Sequence, residues 1–401
     1  MISLPLKAVC QIRHGGTPSK ENEAYWRGDI PWVSPKDMKA STLDDASDHI
    51  SQEAVGRSAT CVVPSDATLV VVRSGILAHS FPVARALRPL AFNQDIKALI
   101  STDERIDPVY LNWFVRSCAS QVLERGVKKG ATVHSVQSGF VESLEIPLFT
   151  AEKQQGIVDV LSRAEGIVRL QQQALDRAKA LIPALFVEHF GDPATNPKGW
   201  PLRKVSDFVA AFQGGKNFQA AGEDEAASVL RILKVSAVTQ GVYRSGESKP
   251  VPQGYIAPES HFVRKGDLLF SRANTEELVG ATAYVFEESP GTLLPDKLWR
   301  FVWKDDVPME PLFVLALFQN QSVRSKLSQI ASGTSGSMKN ISQGKLMELV
   351  LPIPPFSLQQ EFASRLAEAQ SIIAQQTAAF AKSRELFDAL LAQTFAPTGA
   401  A

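Results

Sequence analysis

The chain has 401 residues, 44% of them hydrophobic and 21% charged, with 42 basic side chains against 42 acidic ones. That length allows two or three domains with cores of their own, and the charge balance excludes a protein that holds nucleic acid by net positive charge alone. No apolar run is long enough to span a bilayer, so no membrane role is expected. The N-terminal run MISLPLKAVCQIRHGG lacks the apolar stretch of a signal peptide. Cys10, Cys61 and Cys118 are odd in number and far apart, which fits neither a disulfide framework nor a zinc site, so a cytoplasmic location is expected.

Taken in chain order, residues 1–150 read as a mixed α/β domain. Short β-branched runs bounded by turn residues, such as Thr68–Val72, predict strands. The run Pro108–Val115 predicts a short buried helix. A long helix follows over 151–191. Thr150 is placed to cap it, and Gly191 followed by Pro193 ends it. Pro183 lies inside it and predicts a kink. Residues 192–355 form a second α/β domain, with a strand predicted over Leu268–Phe270. A second long helix covers 356–396, where Ser357 to Gln360 has the spacing of a capping box.

The two halves repeat each other at an offset of 205: Pro147 matches Pro352, Gln154 and Gln155 match Gln359 and Gln360, and Leu161, Ile167, Leu181 and Phe190 match Leu366, Ile372, Leu386 and Phe395. Upstream, His14-Gly15-Gly16 echoes Gln213-Gly214-Gly215, and Asp107-Pro108 echoes Glu310-Pro311. A period this long means a two-fold architecture and not a solenoid. Both helices carry an apolar seam of period 3.5, the coiled-coil signature. In the first it runs through Ile157, Leu161, Val168, Gln171, Leu175, Ile182 and Leu185. In the second it runs through Phe362, Leu366, Ile373, Gln376, Phe380, Phe387 and Leu390. Each helix would span about 55–60 Å at 1.5 Å per residue, and an antiparallel pairing is expected. Gln171 and Gln376 sit at mid-seam, either buried to fix the register or at the seam's wet edge.

Common catalytic and metal motifs are absent. Gly214-Gly215-Lys216-Asn217 lacks the spacing of a phosphate-binding loop, Ile353-Pro354-Pro355-Phe356 begins with an apolar residue where a methyltransferase tetrapeptide needs Asn or Asp, and the histidines show no ligand spacing. No metal ligands and no catalytic residues are assigned, and a binding protein is favoured. The remaining signal is a set of polar and basic loop residues. In the first half these are Thr17, Ser19, Lys20, Lys36, Arg73, Ser74, His79, Asn93, Gln94, Lys128, Lys129, Thr132 and His134; in the second, Gln213, Lys216, Asn217, Lys234, Arg272, Asn274, Thr275, Lys297, Lys339 and Asn340. Arg and Lys grip phosphates or guanine edges, and Asn and Gln read adenine edges.

Several motifs, in this order, resemble one family: Gly15-Gly16-Thr17-Pro18, Ile30-Pro31-Trp32-Val33-Ser34, Phe92-Asn93-Gln94-Asp95-Ile96, Gly266-Asp267-Leu268-Leu269-Phe270-Ser271-Arg272, and the two segments in which Pro precedes Gln-Gln and a long helix. The chain resembles the specificity (S) subunit of a type I restriction-modification system, over essentially its whole length. The resemblance implies two α/β (α+β) target recognition domains in a pseudo-twofold arrangement, separated by two long antiparallel coiled-coil helices. It implies that each domain reads half of an asymmetric bipartite site on double-stranded DNA. It also implies docking of two methyltransferase (M) subunits, which bring S-adenosylmethionine, and of restriction (R) subunits, which bring ATP and Mg. The chain itself would carry no cofactor. The S subunit of a type IIB-like enzyme, or a protein-bridging coiled-coil scaffold, are the alternatives. The second half departs from the pattern at Gly214-Gly215-Lys216-Asn217 and at Phe395-Ala396-Pro397.

Overall fold

A computed structural model of the chain describes residues 2–130, 132–218, 229–252, 254–333 and 338–396. It mixes helix and sheet and divides into two compact units, Met1–Gln172 with Ala379–Ala401, and Gln173–Ala378. Among the described residues, no helix is long and apolar enough to cross a membrane.

The first unit is built on a five-stranded sheet in the order Cys10–His14, Ile96–Ser101, Thr68–Val71, Val83–Ala86, Thr42–Leu43. The central strand Thr68–Val71 is buried at all four positions, as a strand covered on both faces must be. Helix Pro108–Ser117 packs on this sheet through Tyr110, Leu111 and Val115, all fully buried. It starts where the sequence predicts because Pro108 supplies the preset φ, and Asp107 Oδ1 accepts from the amides of Val109 (2.8 Å) and Tyr110 (2.9 Å). A smaller sheet holds Ile30–Val33 parallel to Leu90–Phe92 and antiparallel to Asp48–Ile50. Strand Ser3–Pro5 pairs with Glu145–Pro147.

The second unit repeats this plan. Its main sheet runs Val209–Gln213, Leu298–Trp303, Leu268–Ser271, Thr282–Tyr284. Its smaller sheet holds Arg231–Leu233 parallel to Thr292–Leu293 and antiparallel to Ser248–Pro250. Leu202–Lys204 pairs with Val350–Pro352. Glu310 and Pro311 start helix Pro311–Gln319 as Asp107 and Pro108 start its counterpart.

The long helices are continuous over Ala151–Phe190 and Phe356–Thr394. The first keeps its helical path through Pro183. Thr150 caps it, accepting from Lys153 N at 3.4 Å through its hydroxyl, and Gly191 ends it with φ +78°. Every predicted seam residue is buried or half-buried, including Gln171 and Gln376. In the second unit the aromatic end of the first helix meets the start of the second: Phe186 and Phe190 lie 5.7 and 5.2 Å from Phe362. In the first unit, Phe395 lies 5.6 Å from Tyr110 and 5.7 Å from Phe114. Seam residues near the helix ends thus pack on domain cores as well.

The predicted capping box at Ser357 is corrected. The second helix begins at Phe356, so Ser357 is already inside its first turn, and the carbonyl of Pro355 accepts from the amides of Leu358 and Gln359. Proline presets the geometry that the serine was expected to supply.

One device recurs in both units. The side chain of Gln154 is 1% exposed; its Oε1 accepts from Asp107 N (2.9 Å), and its Nε2 donates to Arg105 O (2.6 Å) and Phe149 O (2.9 Å). Gln359, also 1% exposed, accepts from Glu310 N (3.1 Å) and donates to Pro354 O (2.8 Å). Each glutamine ties the first turn of a long helix to the cap of the domain helix. Replacing Gln154 by alanine leaves three backbone groups unpaired at a buried point, at about 1–3 kcal/mol per group that finds no new partner. Gln154→Ala is expected to lower unfolding stability by about 2–4 kcal/mol in urea titration, while Gln155→Ala, at its exposed neighbour, changes it by less than about 0.5 kcal/mol. Equal effects would remove the clamp from the account of the fold.

Candidate nucleic-acid interface

In the first domain the glycine pair sets the site. A Cβ on Gly15 would stand 2.3 Å from Asn93 O, and one on Gly16 2.5 Å from the Ala59 backbone. Only glycine allows this approach, which Gly16 N closes by donating to Phe92 O at 3.0 Å. The turn brings Thr17 to Gln94, whose side chains are joined at 2.6 Å and exposed. Next to them Arg73 Nε donates to Asp95 Oδ1 at 2.6 Å. Asp95 holds the guanidinium in place while Arg73 remains 56% exposed. Strand Arg73–Ser74 pairs with His134–Val136, which pairs with Val127–Lys128. This small ladder gathers Arg73, Ser74, Lys128 and His134, with Lys129 and Thr132 exposed on the connection and His79 exposed beyond Ser74. Ala131 lies outside the described residues.

The second domain builds a two-stranded counterpart of this three-stranded ladder from different residues. Gly215 N donates to Pro295 O at 3.0 Å. Arg272 Nε donates to Asp296 O at 2.8 Å, and its guanidinium lies 5.5 Å from the Trp299 ring centre. Strand Ala273–Asn274 pairs with Lys339–Asn340, setting Asn274 opposite Lys339. Thr275 and Lys297 join this group: Thr275 N donates to Asn274 Oδ1, and Arg272 N to Lys297 O. Residues 334–337 of the adjoining loop lie outside the described residues. Each ladder holds a buried polar atom without a hydrogen-bond partner, His134 Nδ1 in the first and Asn274 Nδ2 in the second.

Not every candidate is free to meet one. Asn93 is 6% exposed, and its carboxamide closes a turn, accepting from Asp95 N (3.0 Å) and donating to Asp95 Oδ2 (3.2 Å). Gln213 is likewise engaged, donating to Ser260 O (3.0 Å) and accepting from Arg300 Nη2 (2.8 Å). In this structure both are scaffold residues rather than readers of a base edge. Lys36 is exposed but pairs with Asp48 at 2.8 Å on the smaller sheet, away from the ladder's strands. Lys234 is exposed beside the corresponding sheet of the second domain. Ser19, Lys20, Lys216 and Asn217 are exposed on the glycine turns.

The sequence reading missed Asp95 and Asp296, which fix the two arginines. It also missed Arg300 and Asp267, paired at 3.1 Å beneath the second glycine turn, where burial raises the Asp267 carboxyl above its ordinary value. The signal available was the acid inside the Asn93-Gln94-Asp95 and Pro295-Asp296-Lys297 segments. No group of three or more His, Cys, Asp or Glu placed to hold a metal occurs among the described residues.

The comparisons accord with this architecture. The family described as "Type I restriction modification DNA specificity domain" matches residues 3–180. The specificity subunit of the type I restriction enzyme EcoR124I/EcoR124II of Escherichia coli is 37% identical over 164 residues, covering 41% of this chain and 40% of that protein. The MjaIX specificity subunit of Methanocaldococcus jannaschii is 26% identical over 227 residues, covering 52% of this chain and 51% of that protein. The chain therefore spans about half the length, or less, of these curated relatives. In fold, it matches the S subunit of a type I restriction-modification system from M. genitalium with a TM-score of 0.56 at 12% identity, over 99% of this chain and 96% of that one. Residues 3–180 thus match the type I restriction modification DNA specificity domain, and the chain as a whole shares the fold of that S subunit.

Proposed function

We propose that the chain recognises double-stranded DNA for a type I restriction-modification complex, each domain binding one half of an asymmetric bipartite site. The observation that supports this most is the pair of ladders, each headed by an anchored arginine, Arg73 by the carboxylate of Asp95 and Arg272 by the main-chain carbonyl of Asp296. A guanidinium fixed on one side and open on the other suits a guanine edge or a phosphate. The ladders differ in nearly every other side chain, so the half-sites differ. The two long helices act as the spacer that sets the gap between half-sites, about one duplex turn or ~34–36 Å between their centres. Two methyltransferase subunits dock on the chain and bring S-adenosylmethionine for adenine methylation. Restriction subunits join them and bring ATP and Mg for cleavage. The chain contributes recognition and no catalysis, and works in the cytoplasm.

Mapping methylated adenines in a host carrying the chain with its partner subunits is the direct test, and two unlike half-sites with a constant gap are expected. Arg272→Ala should alter or abolish the letters of one half-site and leave the other unchanged, with a loss of about 1–3 kcal/mol of discrimination. Changes in both halves at once would contradict the division of labour. Inserting one heptad into one long helix should change the gap and not the letters; altered letters would refute the spacer role. With equal numbers of acidic and basic residues, the chain alone should bind DNA weakly at physiological salt and tightly only with its methyltransferase partners. Strong, steeply salt-dependent binding by the chain alone would count against this.

A further inference from the structure

Apart from Trp299, which lies against Arg272, the ladders do not use the aromatic side chains near the glycine turns. In the first domain Trp26 and Trp32 meet edge to face, with ring centres 5.0 Å apart and planes at 84°. Both indole N–H groups are engaged with that turn: Trp26 Nε1 donates to Ser19 O (3.1 Å) and Trp32 Nε1 to Gly16 O (3.0 Å). The rings are therefore fixed, and Trp26 is only half-buried. With Lys20, Glu23, Arg27 and Asp48 they wall an open pocket of about 450 Å³. Glu23 pairs with Arg27 at 2.5 Å and Asp48 with Lys36 at 2.8 Å. Lys20 has no ion-pair partner among the described residues, so the pocket's uncompensated charge is positive.

The second domain has the same combination from other residues. Phe218 and Tyr255 meet edge to face at 4.8 Å and 74°. Lys216 Nζ lies 5.7 and 5.6 Å from their ring centres. Lys216 directly follows Gly214-Gly215, whereas Lys20 lies four residues beyond Gly16, so the two lysines reach their aromatic pairs from different positions of the turn. Trp32 sits in the smaller sheet of its domain, and Phe218 and Tyr255 pack on the smaller sheet of theirs. The residues differ while the chemistry stays the same, which a merely inherited packing contact would not explain.

We propose that each aromatic pair is a stacking site for one unpaired DNA base, with the lysine on the adjoining phosphate. This rests on the DNA reading above. An edge-to-face pair leaves a ring face open, a pocket of this size takes one base with its sugar, and stacking on an aromatic ring is worth about 1–3 kcal/mol per base. A cage for an alkylated ammonium group would need its carboxylates uncompensated, and here both are paired.

The test is fluorescence anisotropy of the full chain at low salt, with a fully paired duplex and with the same duplex carrying one bulged nucleotide. The wild-type chain should prefer the bulged duplex about tenfold. Trp26→Phe keeps a ring face but loses the N–H tether, and should retain the preference; Trp26→Ala should reduce it, and Trp26→Ala with Phe218→Ala should abolish it, with thermal melting confirming that each variant is folded. Equal affinity of the wild-type chain for the two duplexes would overturn the site and leave the DNA reading standing. Trp26→Phe losing as much as Trp26→Ala would show that the tether matters and the stack does not, and would overturn it too. A preference for an alkylammonium ligand over the bulged base would do the same. No binding to either duplex at low salt would overturn the site as well, and would leave the DNA reading to the methylation map of the chain with its partner subunits.

Discussion

The buried glutamine at the head of each long helix is the contact on which the architecture turns. Gln154 and Gln359 each join the lead-in and first turn of a long helix to the cap of a domain helix far upstream in sequence. A carboxamide suits this point because it donates and accepts at once, and satisfies carbonyl and amide groups that no water reaches. Around it, Tyr110 donates to Pro147 O at 2.8 Å, and Arg116 lies 4.2 Å from the Trp113 ring centre while pairing with Glu165 at 2.7 Å. The direction of each long helix is thereby set by the domain that precedes it.

The glycine turns play the corresponding part at the recognition end. Their lack of Cβ lets one loop lie on the backbone of the strand lead-in at Phe92–Asn93 or Leu294–Pro295. That approach places the aspartates beside the arginines and leaves the ladders to differ. A rigid frame carrying short strands of differing side chains lets the loops vary while the frame stays the same. The first of these turns also holds the two indoles, so the aromatic pocket of that domain is a by-product of the frame's own hydrogen bonds.

Much of the fold was legible locally. The strand at Thr68, the helix at Pro108, the Thr150 cap and the Gly191 stop all follow from short-range rules, and the structure has them. Along both long helices the residues of the expected seam are buried or half-buried. The serine cap at residue 357 was misread because Ser-x-x-Gln is also compatible with a helix already begun, and the preceding proline decides. The site was less legible. Asn93 and Gln213 have the side chains of base readers, yet their partners sit on turns and strands that composition does not place beside them.

The sequence by itself determined the internal repeat, the two long helices and the order of the motifs, because these are properties of a string. Only the tertiary structure decided which polar side chains are engaged and which are open. Thr17 meets Gln94 across 77 residues and Gln213 meets Arg300 across 87. A polar group's availability depends on the partner that desolvates and pairs with it, and at those separations the fold alone chooses the partner.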